Sequence, residues 1–383
     1  MSELKVNSIK GVAASTAAIT VNNTDGTCTG NITNKPGHNL IINGAMQIAQ
    51  RGTSSTSHGL TTVDRISTYE TNTDAGTKTW SQADITSGGA YDVGFRKAFK
   101  IATSQAGNTS NAAAYMSAYA TKLEAQDIAN SGWKYADANS KITLSFWIKA
   151  STADNFQLQL VTDDGTKKKY NTTVAATTSW TKITKTIPGH ADLTFNNDTG
   201  KGLTVQLIVA TGSDMAGTVT QDAWGANTVA AVASGQINTW LAAGAGTIET
   251  TGWQLEVGST ATDFEHRSYA DELARCSRYY QVIGDIDNAP LCNIHGEGQL
   301  ILGVHHFRTE MRAVPTVHSS NSSEHFKARI NLGNQLFSTC TFNDCSKQAV
   351  IVLGDLGSGS YNNMGGRLQN NHTDTYLFAQ AEL

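Results

Sequence analysis

The chain has 383 residues and a formal net charge of -4, from 28 Lys and Arg against 32 Asp and Glu. This length allows two or three domains with buried cores, and the small acidic excess provides no basic surface for a nucleic-acid backbone. Charged residues make up only 16% of the chain and 35 residues are glycine, a turn-rich composition that favours β-structure. We expect no nucleic-acid partner and, since no apolar run approaches the ~18 residues that cross a bilayer, no membrane insertion.

Residues 1–37 are predicted to form an extended arm. Short β-like pieces alternate with small polar residues up to Lys35-Pro36-Gly37, and the segment contains too little apolar bulk to bury a core of its own. Such an arm is stabilised by pairing with another copy or by docking on a larger particle, and a disordered leader is the alternative. The arm is therefore interpreted as an attachment and trimerisation segment.

Residues 38–267 are predicted to form a β-sandwich, because short runs with period-two hydrophobicity recur along this segment. The clearest run is Lys141–Ala150, in which alternate residues share one apolar face: Ile142, Leu144, Phe146 and Ile148. Further runs at 156–160, 203–209 and 253–257 are separated by turn residues instead of helical patterns, which disfavours a parallel α/β fold. The predicted fold class is all-β.

One helix is predicted, in a connecting segment at 268–284. Ser268 can cap it together with Asp271, and an apolar stripe follows at helical spacing: Tyr269, Leu273, Cys276 and Tyr280. Beyond Gly284 a second set of strand patterns predicts a C-terminal β-sandwich domain over 285–383, at the tip of the molecule.

Several motifs occur in one order between about residues 39 and 280. They include Asn39-Leu-Ile-Ile-Asn-Gly44, Val63-Asp-Arg65, Leu144-Ser-Phe-Trp-Ile-Lys149, Trp253-Gln-Leu-Glu-Val-Gly258 and the ending Arg278-Tyr-Tyr280. This order resembles a domain that recurs in bacteriophage tail fibres and other virion surface proteins. The resemblance implies a jelly roll similar to carbohydrate-binding modules, behind an attachment segment and ahead of a variable tip. Residues 2–34 resemble, more loosely, the leaders of marine podovirus (cyanophage) fibre proteins.

The resemblance implies a non-enzymatic virion protein on the tail or capsid surface, assembled in the host cytoplasm. As a tail fibre, the chain would attach to other virion structural proteins through residues 1–37 and contact host surface polysaccharide. It would do so as a homotrimer, in which avidity strengthens weak glycan contacts. The alternatives are a capsid-bound head fibre or decoration protein and, less favoured, a polysaccharide depolymerase.

Aromatic residues are the candidate glycan contacts, because exposed rings pack against the C–H edges of pyranoses. Four lie in or beside polar, turn-like stretches: Trp224, Trp240, Tyr170 and Trp180. Trp224 and Trp240 are the strongest candidates. Trp180, like Trp147, has the alternative role of a framework residue that packs between a sheet and a loop.

No catalytic residue is predicted. Glu256, Asp263 and Glu265 are close in sequence, and a glycosidase needs two carboxylates across a groove. Glu256, however, is expected on the exposed side of a strand. Next to Glu265, the charge of His266-Arg267 would favour the ionised form, so a structural salt bridge is the preferred interpretation.

No metal site or other cofactor is predicted, although calcium could bind near Asn43, Glu256 or Asp163-Asp164. Asp163-Asp164-Gly165 more simply predicts a hairpin turn, followed by a basic triplet, 167–169, at a solvated edge. His305-His306 would point to opposite faces of a strand and cannot hold one ion. The five cysteines are expected to be reduced, with Cys340 and Cys345 as the one pair that could bridge a turn or form half of a metal site.

Overall fold

The computed structural model describes residues 8–9, 19–21, 28–30, 37–71, 77–103, 113–227, 231–242, 245–284, 287–319, 325–330, 333–372 and 376–383. The predicted all-β fold class is confirmed, since the described residues form five antiparallel sheets and only short helices. Near the N-terminus, β1 (Ser8–Ile9), β2 (Ile19–Val21) and β3 (Cys28–Gly30) form a three-stranded sheet. The rest of the predicted arm lies outside the described residues, and its attachment role stays a prediction.

Two six-stranded sheets form a jelly-roll sandwich. The strands are β4 (Ser54–Ser55), β5 (Ser67–Thr71), β6 (Lys78–Asp84), β7 (Lys97–Thr103), β8 (Met116–Glu124), β9 (Lys141–Ala150), β10 (Asp154–Thr162), β11 (Lys168–Ala176), β12 (Thr181–Pro188), β13 (Lys201–Thr211), β14 (Ala223–Ala226) and β15 (Thr247–Val257). The first sheet has the spatial order β14-β11-β10-β13-β8-β5, and the second sheet has the order β12-β9-β15-β7-β6-β4. The chain passes from one sheet to the other several times; β8, β9 and β10, for example, alternate between the two layers.

The core lies between these two sheets. The predicted apolar face of β9 is fully buried there, and Phe146 stacks on Trp253 with ring centroids 3.9 Å apart. A β-bulge between Thr251 and Gln254 places Trp253 on the inner face of β15. Gly252, within the bulge, has φ +67°, a conformation that side chains other than glycine rarely adopt.

Part of the outer face of the second sheet is covered by other segments of the chain. Ala45, Ala90 in helix α1 (Gly89–Asp92) and Phe264 form an apolar cluster with Ala98 of β7 and Trp147 of β9. Asn39 is bonded to the segment 258–267, since its N–H donates to Glu265 and its C=O accepts from Arg267. Glu256 points outward from β15, as expected, but it is buried and accepts hydrogen bonds from Thr262 N (2.8 Å) and Gln254 Nε2 (3.0 Å). The expectation of an exposed Glu256 is wrong, because the chain folds back over the strand.

The 163–165 turn is confirmed as a β10–β11 hairpin, with Gly165 at φ +57°. The basic triplet that follows is not a solvated edge. Lys168 and Lys169 belong to β11, which pairs with β10 on one side and β14 on the other, and Lys169 is buried. The edge prediction is wrong because the short β14 is added outside β11.

Helix α4 (Tyr269–Ser277) begins where predicted, since the Ser268 Oγ accepts a hydrogen bond from Asp271 N at 3.1 Å. It is shorter than the predicted 268–284 segment, because β16 (Tyr280–Gly284) follows almost at once. Tyr269 is exposed and does not join the buried face, which is formed around Glu272 and Cys276. The other helices are α2 (Ala125–Ala129), α3 (Thr239–Ala242) and a 3-10 turn at Ser213–Met215.

The C-terminal strands form two further sheets. Besides β16, the strands are β17 (Pro290–Glu297), β18 (Leu300–His306), β19 (Thr316–Ser319), β20 (Phe326–Ile330), β21 (Gly333–Leu336), β22 (Thr339–Asn343), β23 (Ala349–Asp355), β24 (Gly365–Asn370) and β25 (Leu377–Gln380). One sheet has three strands in the order β16-β25-β19, and the other has seven strands in the order β21-β20-β24-β17-β18-β23-β22. Their own core contains Ile294, Ile301, Phe326 and Leu368.

Candidate functional site: a cleft on the first sheet

The outer face of the first sheet carries an open cleft of about 410 Å³, here called the Tyr69 cleft. Tyr69 lies on β5, the edge strand of this sheet, and is 51% exposed. Its cross-strand partner on β8 is Ala118, and Ser67 on β5 faces Ala120. These two alanines leave the floor low, because small side chains on the middle strand do not fill the space beside the ring. The cleft therefore has one aromatic wall and a flat backbone floor.

Amide side chains continue this face across three neighbouring strands. Gln206 on β13 donates from Nε2 to Gln159 Oε1 (2.5 Å), and Gln159 on β10 donates from Nε2 to Asn171 Oδ1 (2.8 Å) on β11. Gln206 is half-exposed in the cleft, whereas Gln159 and Asn171 are buried beneath the chain around Val232. The buried amides hold Gln206 in one orientation, so that it presents a fixed hydrogen-bonding edge to the cleft.

Three lysines and one aspartate line the cleft. Asp163 Oδ1 accepts from Lys167 Nζ (3.1 Å) and lies 3.0 Å from Lys201 Nζ, while Asp163 Oδ2 accepts from Thr204 Oγ1 (3.2 Å). The third lysine, Lys122, donates to the main-chain oxygen of Leu383 (2.6 Å). Burial, followed by the positive charges of Lys201 and Arg65, lowers the pKa of Lys122, although Glu382 and Asp163 oppose this shift. Three lysines beside one aspartate leave an excess of positive charge among the described residues at this end of the cleft.

Two of the predicted glycan residues do not offer an exposed ring. Trp240 is 0% exposed in the sandwich core and donates its indole N–H to Val209 O at 2.6 Å. Tyr170 is 3% exposed on the inner face of β11, where burial raises its pKa to about 12. The prediction of exposed rings at these positions is wrong, because both polar-looking segments fold inward.

The other two predicted residues are half-buried and lie away from the Tyr69 cleft. Trp224 tilts against Tyr170 and donates its indole N–H to Pro188 O (2.7 Å), so it closes one edge of the sandwich. Trp180 lies on the opposite sheet, with Lys149 Nζ 5.1 Å from its ring centroid. Only Tyr170 and Trp224 are brought together, and a glycan role for Trp224 or Trp180 stays a prediction.

A larger recess of about 670 Å³ lies between α2 and the cover of the second sheet. Its lining includes Asp127, Arg275, Glu256 and Asn130, and its described residues include no Phe, Tyr or Trp ring. Burial and the nearby charge of Glu124 raise the pKa of Asp127. A sugar needs a platform for its apolar face, so the smaller Tyr69 cleft is the better candidate for a glycan.

The structure also places the residues that the sequence offers for calcium binding and for the Cys340–Cys345 pair. Among the residues that the structure describes, no three His, Cys, Asp or Glu side chains lie close enough to hold a metal ion. Asn43 and Glu256 bond to protein groups, as does Asp163. Cys340 and Cys345 are free thiols. No helix of the described residues is long and apolar enough to span a membrane.

No family model and no curated protein sequence matches the chain. Similar solved structures include the enzymatically active domain of tailspike protein 4 from bacteriophage CBA120, at 9% identity and TM-score 0.33 over 58% of this chain and 22% of that one. A family 11 carbohydrate-binding module from Clostridium thermocellum is 9% identical, with TM-score 0.25 over 56% and 98% of the two chains. The cellulose-binding domain of Cellulomonas fimi β-1,4-glucanase C is 10% identical, with TM-score 0.28 over 56% and 99%. These values assign the chain to no family and to no activity.

Proposed function

We propose that the chain is a bacteriophage tail-fibre protein that binds glycans of the host cell surface through the Tyr69 cleft. The observation that carries the glycan assignment is the combination of an exposed ring, a low floor and an oriented amide in one cleft. The ring of Tyr69 can pack against the C–H face of a sugar, while Gln206 and Thr204 exchange hydrogen bonds with its hydroxyls. The ordered motifs between residues 39 and 280 support the virion assignment.

Binding to a glycan array tests this function, with the full chain as the probe. Tyr69→Ala should lower the affinity for any glycan bound by about fivefold or more, since one aromatic contact contributes about 1 kcal/mol. Tyr376→Ala is the matched control, because Tyr376 is 50% exposed on the C-terminal part of the chain. Equal loss in both variants, or no loss in Tyr69→Ala, would exclude the cleft as the glycan site.

A homotrimer is part of the proposal, and it is supported by an apolar surface. Leu300, Leu302 and Val304 alternate along β18 and are exposed on the outer face of the seven-stranded sheet. A contiguous exposed apolar row of this kind is typical of an association surface. Sedimentation equilibrium of the full chain should give three copies, and Leu302→Asp should reduce the assembly to monomers.

The position on the particle is proposed to be the tail, with residues 1–37 bound to other virion proteins. The head fibre and decoration protein remain the alternatives within the same class. Cryo-electron microscopy of intact particles distinguishes them: density at the tail supports the fibre, and density on the capsomers supports the alternatives.

We also propose that the chain is not an enzyme. Burial alone would raise the pKa of Glu265, but hydrogen bonds from the N–H groups of Asn39 and Gly37 and the charge of Arg267 hold this pKa below its usual value. A general acid needs a raised pKa. Both Glu256 and Glu265 bond to protein groups. Release of reducing ends from host polysaccharide by the purified chain would contradict this proposal and favour a depolymerase.

A further inference from the structure

The charges that line the Tyr69 cleft differ in sign from the charge of the whole chain. Among the described residues that line the cleft are three lysines, Lys122, Lys167 and Lys201, and one acid, Asp163, whereas the chain as a whole carries a formal charge of -4. Charges that share a concave surface add their fields and raise the local concentration of ions of opposite sign. An anionic ligand is therefore attracted to this cleft by a molecule that otherwise repels it.

The lysines lie further along the cleft than the ring of Tyr69. The residue opposite Tyr69 is Ala118 on β8, and Lys122 follows it four residues later on the same strand, which corresponds to about 13 Å at the rise of an antiparallel strand. The cross-strand partner of Lys122 on β13 is Thr204, which also lines the cleft. A glycan of several units that packs on Tyr69 and runs along the cleft would thus bring its substituents towards the lysines.

The lysines are held in place and still have capacity to bind. Lys167 and Lys201 both contact Asp163, so one carboxylate is shared by two ammonium groups and neutralises only one of them. Each ammonium has three donors.

From this arrangement we infer that the glycan of the Tyr69 cleft is anionic, with carboxylate or sulfate groups that contact Lys122, Lys167 and Lys201. The inference rests on the proposed glycan-binding function and names the class of glycan. Neutral polymers would use the same ring and amide contacts but would gain no charge attraction from the lysines.

Polygalacturonate and its fully methyl-esterified form are the probes, because they share one backbone and differ in charge. Affinities of the full chain for both are measured by calorimetry at low and moderate salt. At low salt, polygalacturonate should bind at least about fivefold more tightly than its methyl-esterified form. Moderate salt should reduce this difference in affinity, because exposed charges are screened. In Lys201→Gln and Lys167→Gln the affinity for polygalacturonate should fall about two- to fivefold each, the range for one exposed ion pair.

Lys182→Gln is the matched control, because it removes the same charge from an exposed position on the second sheet, and it should leave both affinities unchanged. Equal binding of the esterified polymer, or an equal loss in the Lys182 variant, would overturn the inference. Failure to bind polygalacturonate would also overturn the inference of an anionic glycan. If neutral glycans of the array still bind, the proposed glycan-binding function stands without the anionic class. If no glycan binds, the proposed function and the inference both fail.

Discussion

Glu124 lies where the sandwich meets the segment that follows helix α4, and its loss should destabilise the whole chain. The carboxylate is almost fully buried and accepts four hydrogen bonds: from Arg278 Nε (2.8 Å), Arg278 Nη2 (2.9 Å), the Tyr279 hydroxyl (2.6 Å) and Gln126 Nε2 (2.7 Å). Glu124→Gln keeps the shape but replaces one acceptor oxygen with an NH2 group. Two of the four donors then lose their acceptor and face another donor.

The expected cost is about 2–4 kcal/mol in the free energy of unfolding. Hydrogen bonds to a charged group contribute about 1.5–3 kcal/mol each, and the sum for two is reduced here because Arg278 is 28% exposed to solvent. This loss in the free energy of unfolding is measured by urea unfolding at neutral pH, monitored by tryptophan fluorescence. Asp84→Asn is the control: it breaks a 2.6 Å contact with Lys97 in which both side chains are exposed, and should cost less than about 0.5 kcal/mol.

The pH dependence of this effect has a definite sign. Burial opposes ionisation of Glu124, but hydrogen bonds from Arg278 and Tyr279 outweigh it and hold the pKa below the ordinary value of 4.5. A carboxyl whose pKa is lowered by folding stabilises the chain fully above the unfolded pKa and loses this contribution as the pH falls through the folded value. The difference between wild type and Glu124→Gln should therefore be constant near neutral pH and shrink below 4.5. A difference under 1 kcal/mol at neutral pH, or one that grows in acid, would refute the reasoning.

Three further predictions concern the interior. Trp240→Ala should lower the free energy of unfolding by about 3–5 kcal/mol, as for other buried aromatic residues, with unchanged glycan affinity; a loss of affinity without destabilisation would restore Trp240 as a contact residue. Gly252→Ala should cost at least about 2 kcal/mol by denaturant unfolding, because φ is +67° and the added Cβ would lie 2.5 Å from Phe95 Cζ; a neutral effect would mean that the bulge rearranges. Burial raises the pKa of the Cys276 thiol well above its ordinary value, so peptide mapping after alkylation of the native chain should find Cys345 labelled before Cys276, and the reverse order would contradict this burial.

Period-two patterns predicted which residues share a face of the sandwich. The segment Lys141–Ala150 is predicted as a strand and is a strand in the structure, with its apolar face in the core. This agreement is expected, because the alternation of side chains follows directly from strand geometry. The Ser268 cap was equally accessible to prediction, because a side-chain cap depends on residues only three positions apart.

Burial by distant segments could not be predicted in this way. Glu256 points outward as expected but lies beneath the segment 258–267, and Trp240 folds inward from a polar stretch. No local pattern distinguishes Tyr69 from the other aromatic residues. Its exposure depends on Ala118 and Ala120 of a strand some fifty residues further along the chain, whose register sequence alone does not specify.

The most direct test of the glycan site is a crystal structure of the full chain with an array-selected oligosaccharide bound. The account predicts a sugar ring packed on Tyr69, with hydroxyls at hydrogen-bonding distance from Gln206 or Thr204 and any acidic group directed towards the lysines. An oligosaccharide bound in the larger recess, or on the C-terminal sheets with the Tyr69 cleft empty, would contradict it.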